Sequence, residues 1–492
     1  MLPYKTLIPL DRQSATLITT QIANTLIRLI RQGILPANTK LPGSRAMAGL
    51  LGVHRKTVIT AFDELTAQGW LVQQPARGTF VSSELPDIAP RQLTGTPASA
   101  GLATTTGYSF RIREQLTLPV LKNTNMLMFD DGFPDVRLAP TAQLARNYRN
   151  VLQRSFQQRL LGYADTNGDL FFRQQLAHYL HDSRGIPASP EHIFTTRGSV
   201  MAIYLLAQIL LQPNDIVVVG KPNYRSANLI FAERGATLIH LPVDTHGLDI
   251  DALEAQCRQQ PVRMVFVTPH HHHPTTVTLS AERRIRLLQL AEHYGFVVLE
   301  DDYDYDFHYA SSPILPLASA DAAGMVVYIG SFTKSIAPAF RVGYVVAPPN
   351  LIEALGYYRR IIDRQGDTVL EQAIAEMLAE GDIQRHLKKA QKIYQQRRDV
   401  FCGLLRDRLG DAVSFTIPDG GMAVWTRFND RIDLTALAAA CHKQGLIIGN
   451  GRFYQPDEPV VHHTRLGFAS STPEEMEQGT HIIQKVLATL VP

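Results

Sequence analysis

Cysteine is scarce. Cys257, Cys402 and Cys441 are the only three in 492 residues, an odd number with no paired spacing. That argues against a disulfide-stapled scaffold and a cysteine-held metal, and predicts reduced core thiols in a cytoplasm. Long apolar runs are also missing. None reaches the roughly 18 residues of a membrane span, so no membrane partner is expected. The N-terminus lacks the basic, apolar and small-residue order of a secretory signal. Charged residues are a modest 19%, with a net charge of +3. What remains is the composition of a soluble globular protein, in a chain too long for one ordinary core. At least two domains are therefore expected.

The small net charge hides an asymmetry. Residues 1–82 carry nine Lys/Arg against three Asp/Glu, whereas the remainder carries 39 against 42. A basic head on a mildly acidic body points to a polyanion as the head's partner. The head also has a readable pattern. Ile22, Leu26 and Leu29/Ile30 recur at helical spacing, and Gly33 suits a stop. Ser44 is placed to cap a short helix to about Leu51, Gly52 breaks it, and a second helix runs from about His54 to Gln68. Leu71-Val72 and Thr79-Phe80-Val81 then read as a hairpin. Two helices across a glycine turn, followed by a hairpin, make a winged helix-turn-helix. Its second helix presents His54, Arg55, Lys56 and Thr57 to a major groove. Ser44 and Arg45, at the start of the first helix, suit a phosphate. Arg77 beside Gly78, at the wing tip, can reach the backbone or minor groove. The expected partner is a double-stranded DNA operator; the alternative is a small three-helix scaffold that merely carries surface charges.

Residues 83–107 are rich in Pro, Thr, Ser, Ala and Gly without periodicity, and a linker over residues 83–125 is expected. From residue 126 to 492, apolar strands such as Ile216–Val219, Met264–Val267 and Met325–Ile329 alternate with helical stretches. That rhythm predicts an α/β domain with a mainly parallel sheet. The last stretch, about 390–492, reads as a small α+β lobe.

Within that body, Lys334 follows Gly330-Ser331-Phe332-Thr333, and Arg341 comes seven residues later. A lysine amine forms an imine with an aldehyde cofactor, while hydroxyls and a guanidinium hold a phosphate. Ser331, Thr333 and Arg341 take that second role. The apolar run Phe296–Leu299 leads into Glu300-Asp301-Asp302-Tyr303, and Asp301 is the carboxylate that a protonated pyridine nitrogen needs. Gly198-Ser199-Val200 opens an apolar helix after a strand, where free N–H groups and the helix dipole favour a phosphate. The cofactor with all these needs is pyridoxal 5′-phosphate (PLP). The run His270–His273 tempts a metal reading. No Cys or carboxylate frames it at ligand spacing, and consecutive side chains diverge, so no metal is expected.

The motifs carry two resemblances. Leu41-Pro42-Gly43-Ser44-Arg45, Leu51-Gly52-Val53-His54-Arg55-Lys56-Thr57-Val58 and Gly78-Thr79-Phe80-Val81 resemble the head of the GntR family, with His54 where that family carries a small residue. Gly162-Tyr163-Ala164-Asp165-Thr166-Asn167-Gly168, Tyr224, Asp301, Tyr303, Lys334 and Thr464-Arg465-Leu466-Gly467-Phe468 resemble fold-type I aminotransferases. That likeness implies that Tyr163 reaches the phosphate of a partner subunit, Tyr224 stacks on the pyridine ring and Tyr303 bonds its 3′ oxygen. It also implies that Arg465 grips a substrate α-carboxylate. His273 stands where those enzymes carry an asparagine on the 3′ oxygen, which weakens the case for efficient transamination. Head and body together resemble the MocR-type regulators. The resemblance implies a head-to-tail homodimer whose DNA binding responds to PLP or to an amino acid or amine effector in the body. The alternative is a working aminotransferase, with a 2-oxo acid acceptor, whose head only autoregulates it.

Overall fold

The computed structural model describes residues 2–14, 16–85, 104–112, 116, 126–154, 160–310, 314–456 and 458–490. The chain divides into two compact units, residues 1–110 and 111–492. Most of the linker expected over residues 83–125 lies outside the described residues.

In the first unit, helices α1 (Tyr4–Leu7), α2 (Ile18–Arg31), α3 (Ser44–Leu51) and α4 (Arg55–Ala67) precede strands β1 (Leu71–Gln74) and β2 (Gly78–Val81). Ile22, Leu26, Leu29 and Ile30 of α2 pack with Met47, Leu51, Val58, Phe62, Leu65 and Trp70 in one buried cluster. This is the apolar stripe that the spacing predicts. Gly52 closes α3 in the left-handed region at φ 64°. The two strands pair antiparallel, with Leu71 opposite Val81 and Val72 opposite Phe80. One expectation is corrected. Ser44 does not cap α3: the N-cap is Gly43, without a side-chain bond, and Ser44 is the first helical residue. Its hydroxyl instead accepts from Arg55 Nε at 3.3 Å, which draws it away from the helix's own N–H groups.

The second unit is built on an eight-stranded sheet. After β3 (Leu127–Phe129) come β4 (Ile193–Thr196), β5 (Ile216–Lys221), β6 (Thr237–Asp244), β7 (Gly247–Leu248), β8 (Met264–Val267), β9 (Val297–Asp302), β10 (Val326–Ser331) and β11 (Gly343–Val346). The order is β4-β11-β10-β9-β8-β5-β6-β7. From β10 to β6 all neighbours are parallel. Strand β11 runs against both its neighbours, and β7 turns back on β6. Both faces are covered. Val217, Val219, Met264 and Phe266 enter one apolar cluster, and Val218, Val265 and Val267 the other. Period-two alternation into two cores is why these strands read as unbroken apolar runs.

The C-terminal lobe contains an antiparallel sheet of β12 (Val413–Ser414), β13 (Ala423–Phe428) and β15 (His463–Gly467). The helix Asp382–Leu409 packs with the terminal helix Pro473–Leu490. Strand β14 (Leu446–Ile448) of this lobe pairs in parallel with β3, Leu446 opposite Leu127 and Ile448 opposite Phe129. The first strand of the unit is thus held by its last hundred residues, and the chain just after it enters the site from that side. No helix among the described residues is long and apolar enough to cross a membrane. All three cysteines are buried and unpaired.

Candidate cofactor site and nucleic-acid interface

Parallel strands end in backbone groups and loops that converge at one edge of the sheet. At that edge lies a cavity of about 240 Å³ lined by Ser199, Val200, Tyr224, His273, Asp301, Tyr303, Ser331, Thr333, Lys334 and Arg341, all expected from the sequence. Its lining also includes Asp131, Phe133, Thr268 and Pro338, which the sequence did not single out.

One end of the cavity is an anion cradle. Ser331 closes β10 and its hydroxyl donates to Thr333 Oγ1 at 2.8 Å, while Thr333 N–H donates back to Ser331 Oγ at 3.1 Å. Arg341 Nη1 reaches Thr333 Oγ1 at 3.5 Å and Nη2 donates to the Arg197 carbonyl at 2.9 Å. Gly198 is the N-cap of the helix Ser199–Leu210, at φ 84° and ψ 172°. A Cβ there would stand 2.6 Å from Arg341 Nη2, so only glycine lets the helix N-terminus and the guanidinium share this space. Free N–H groups, two hydroxyls and one cation suit a phosphate monoester.

The other end holds the groups for a nitrogen heterocycle and an aldehyde. Asp301, next to last in β9, is 3% exposed, and its Oδ1 has no hydrogen-bond partner. Burial, with the charges of Asp302 and Asp304 added, pushes its carboxyl up to about 8. Its neighbour Asp302 is served differently, by Tyr328 at 2.8 Å and His270 at 3.2 Å. Asp302 has a hydroxyl on Oδ2 and an imidazole beside Oδ1, although that contact is not an aligned hydrogen bond, whereas Asp301 has neither and lines the cavity, so a protonated pyridine nitrogen fits its unpaired oxygen. Lys334 Nζ donates to the Gly132 carbonyl at 2.6 Å. Burial lowers its pKa, against the opposing pull of Asp131 and Asp130, which favours the neutral nucleophilic amine. The Tyr303 hydroxyl donates to the His271 carbonyl at 3.0 Å. The Tyr224 ring meets His273 edge-on, with centroids 5.1 Å apart.

The four histidines diverge. His270 turns to Asp302 and the Ile314 carbonyl, His271 to Asp304 at 2.8 Å and His272 to the Pro222 carbonyl at 2.9 Å. His273 turns to Asp131 at 3.1 Å. Among the described residues, no group of three or more His, Cys, Asp or Glu stands together as a metal site would require.

Two expected residues stand apart from the cavity wall. Arg465, in β15, is 2% exposed. It lies beside the cavity with Nε 3.0 Å from Asp131 Oδ1 and Nη1 donating to the Pro274 carbonyl at 3.0 Å. Tyr163 is not in the cavity of its own chain. It is 80% exposed, with the Arg364 guanidinium 3.9 Å above its ring.

In the first unit, His54, Arg55 and Lys56 are exposed at the start of α4, as are Arg45 near the start of α3 and Arg77 and Gly78 at the hairpin; Ser44 and Thr57 are half-buried. His54 is the N-cap, and its Nδ1 accepts from the Lys56 N–H at 3.2 Å. An imidazole thus does the work of the small hydroxyl residue usual at such a position. No acidic residue lies in the first turn of α4; Arg55 and Lys56 stand there instead. Cations at the positive end of a helix dipole oppose it. A local rule broken on an exposed helix end is what an external polyanion explains.

Comparisons with known proteins agree with both halves. Residues 128–483 match the family model for aminotransferase class I and II, and residues 18–81 match that for bacterial regulatory proteins, gntR family. The chain is 30% identical, over 98% of its length and 96% of the relative's, to the probable rhizopine catabolism regulatory protein MocR of Rhizobium meliloti. It is 29% identical, over 94% of its length and 96% of the relative's, to the HTH-type transcriptional regulator TauR of Rhodobacter capsulatus. Among solved structures, LysN of Thermus thermophilus, an alpha-aminoadipate aminotransferase complexed with N-(5'-phosphopyridoxyl)-L-leucine, is similar with a TM-score of 0.69 at 25% identity. That match covers 74% of this chain and 93% of the other.

Proposed function

Since the chain belongs to the class I and II aminotransferase family and joins that body to a GntR-family head in the manner of MocR-type regulators, we propose that its body senses cofactor and amino compounds and thereby sets the operator affinity of its head. The cofactor of the body is pyridoxal 5′-phosphate, and the chain is a DNA-binding regulator. The finer reading is that occupancy of the body is the regulatory signal, in the cytoplasm.

The observation that carries this reading is the unpaired Oδ1 of buried Asp301, in one cavity with half-buried Lys334 and an anion cradle. Lys334 is the covalent attachment point. Asp301 holds a proton at the ring nitrogen, and Tyr224 packs on the ring. Tyr303 and His273 lie toward the ring's 3′ oxygen. Ser331, Thr333, Arg341 and the N–H groups at Gly198, Ser199 and Val200 hold the phosphate. When bound, the cofactor supplies an aldehyde that condenses with primary amines, which makes amino acids or amines the effector class. Arg465, buried beside the cavity, is the group that orients a ligand carboxylate.

A homodimer completes the site. Tyr163 is exposed with Leu161, Ile361 and Ile362, and the Gly162 carbonyl and Ala164 N–H on either side of it bond Gln365. An exposed apolar group of this kind suits a subunit interface, and across it Tyr163 reaches the partner's phosphate cradle. In the head, Arg55, Lys56, His54 and Thr57 enter a major groove, Ser44 and Arg45 take phosphates, and Arg77 with Gly78 works from the wing.

The signal is a differential affinity. A ligand that binds one conformation of the body better than another shifts the heads toward the matching arrangement, and DNA shifts ligand affinity by the same factor. Hydride reduction of the protein with PLP tests the first step. A cofactor mass on the peptide that contains Lys334 is expected, and its absence there refutes the reading.

A further inference from the structure

Lys334 and Arg465 are both held by one short segment of the chain, residues 131–133. Lys334 Nζ donates to the Gly132 carbonyl and lies 4.8 Å from the centre of the Phe133 ring. Arg465 faces Asp131. Gly132, at φ 81°, lets the guanidinium lie close, since a Cβ there would stand 3.1 Å from Arg465 Nη2. Asp131 has two further partners, the Tyr454 hydroxyl at 2.6 Å and His273 Nε2 at 3.1 Å. Burial pushes its carboxyl up, but His273, Arg465 and Tyr454 together outweigh this and hold it well below the usual range. Asp131 is therefore a fixed carboxylate inside the site.

The contact with Arg465 is close but poorly directed. Nε stands 3.0 Å from Asp131 Oδ1, yet makes no aligned hydrogen bond. One N–H goes to the Pro274 carbonyl. A guanidinium carries five N–H donors in a fork that matches a carboxylate in two places; Tyr303 also faces this one, and the Nε N–H is left over. Beside Asp131 and Phe133 a second cavity of about 450 Å³ opens. Arg465 shares its wall with Met128, Ala438, Ile447 and Phe453. Phe129, Phe133 and Ile448 also line this chamber, which is mainly apolar; besides the ion pair, its polar members are Asp130, Asn450 and Tyr454.

We propose that Asp131 is a specificity-determining competitor for Arg465: it stands where a ligand's carboxylate must bind, so the sensor responds to amino acids with apolar bodies whose carboxylate displaces it. This rests on the PLP-binding reading above. A ligand carboxylate makes two directed, charge-assisted bonds to the fork, whereas Asp131 makes none that is aligned. Asp131 then keeps Tyr454 and His273, stays ionised and repels the newcomer across a few ångströms. It acts through Arg465 and is a positioning residue. An amine with no carboxylate leaves the pair untouched, so Asp131 separates the two classes of effector.

The test uses full-length protein loaded with PLP. Its probes are 4-methylpentanoate, an apolar body with only the carboxylate, and 3-methylbutylamine, a similar body with only the amine. Calorimetry on wild type, Asp131→Asn and Asp131→Ala is expected to show 4-methylpentanoate bound about tenfold tighter by the variants, while 3-methylbutylamine stays within about threefold. A purely structural role would move both probes together, and that result, or unchanged or weaker carboxylate binding, overturns the proposal. A second readout needs no variant. The Tyr454 ring lies edge-on to Trp425 with centroids 5.5 Å apart. In the wild-type protein 4-methylpentanoate should therefore change tryptophan fluorescence saturably and 3-methylbutylamine should not; equal responses from the two probes overturn the proposal. Failure of the wild-type protein to take up PLP at all would instead overturn the underlying reading.

Discussion

Gly198→Ala makes the sharpest demand on the anion cradle. The residue sits at φ 84° and ψ 172°, a region that is essentially glycine's alone, and an alanine forced into it costs about 1–3 kcal/mol. The methyl group would also stand 2.6 Å from Arg341 Nη2, 3.0 Å from Cζ and 3.2 Å from Nη1. These are the ends of a flexible side chain, so the guanidinium moves away rather than the helix. Moving it breaks the bond to the Arg197 carbonyl and takes the cation off the phosphate. A lost charge-assisted bond is worth about 1.5–3 kcal/mol, so PLP should bind roughly 10- to 100-fold more weakly. Spectroscopic titration of PLP and thermal denaturation of the cofactor-free protein separate the two effects. Gly198→Ala should show both. Arg341→Ala should show the loss of affinity with little of the backbone strain. A Gly198→Ala protein that melts and binds PLP like wild type would refute the argument.

Three further outcomes follow from the same geometry. In cofactor-free protein, the Asp301 carboxyl is raised from 3.8 to about 8, so the folded state keeps a proton that the unfolded chain releases. Its contribution is therefore present at low pH and lost as pH rises through about 8; melting of Asp301→Asn across pH 5–9 should gain on wild type as pH rises, and a constant difference contradicts this. His54→Ala removes the N-cap of α4 and should destabilise the head by about 1 kcal/mol, with His54→Ser restoring it, as read by denaturant titration of the full chain. Lys56→Ala should weaken DNA binding and reduce the slope of log affinity against log salt by about 1 if it meets a phosphate; an unchanged slope removes it from the interface.

The parts of the site legible in the sequence are those whose chemistry is fixed over short stretches of chain. Ser331, Thr333, Lys334 and Arg341 lie within eleven positions, and Asp301 follows directly on an apolar run, so residue type and spacing point to one cofactor. Gly198 shows itself where a strand gives way to an apolar helix. Asp131, Phe133 and Thr268 escape such a reading because their place depends on pairings far apart in sequence. Asp130-Asp131-Gly132-Phe133 looks like any acidic turn until β14 captures β3 across more than three hundred residues and carries the turn to Arg465. In the head, helix periods and glycine stops locate α3, α4 and the end of α2 to within a residue or two. Which side chain caps a helix depends on its neighbours: Ser44 is engaged by Arg55, and His54 caps where a serine would be expected. The histidine run shows the same limit, since only the fold sends four adjacent imidazoles to four different partners.

Coupling between the two units is the centre of the account, and operator binding during a PLP titration tests it most directly. DNA fragments selected by the full-length protein, labelled and followed by fluorescence anisotropy, should change affinity as PLP is added to wild type. They should not change with Lys334→Ala, whose head is intact. Superimposable curves with and without PLP, across a panel of amino acids and amines and with the cofactor demonstrably bound, would contradict it.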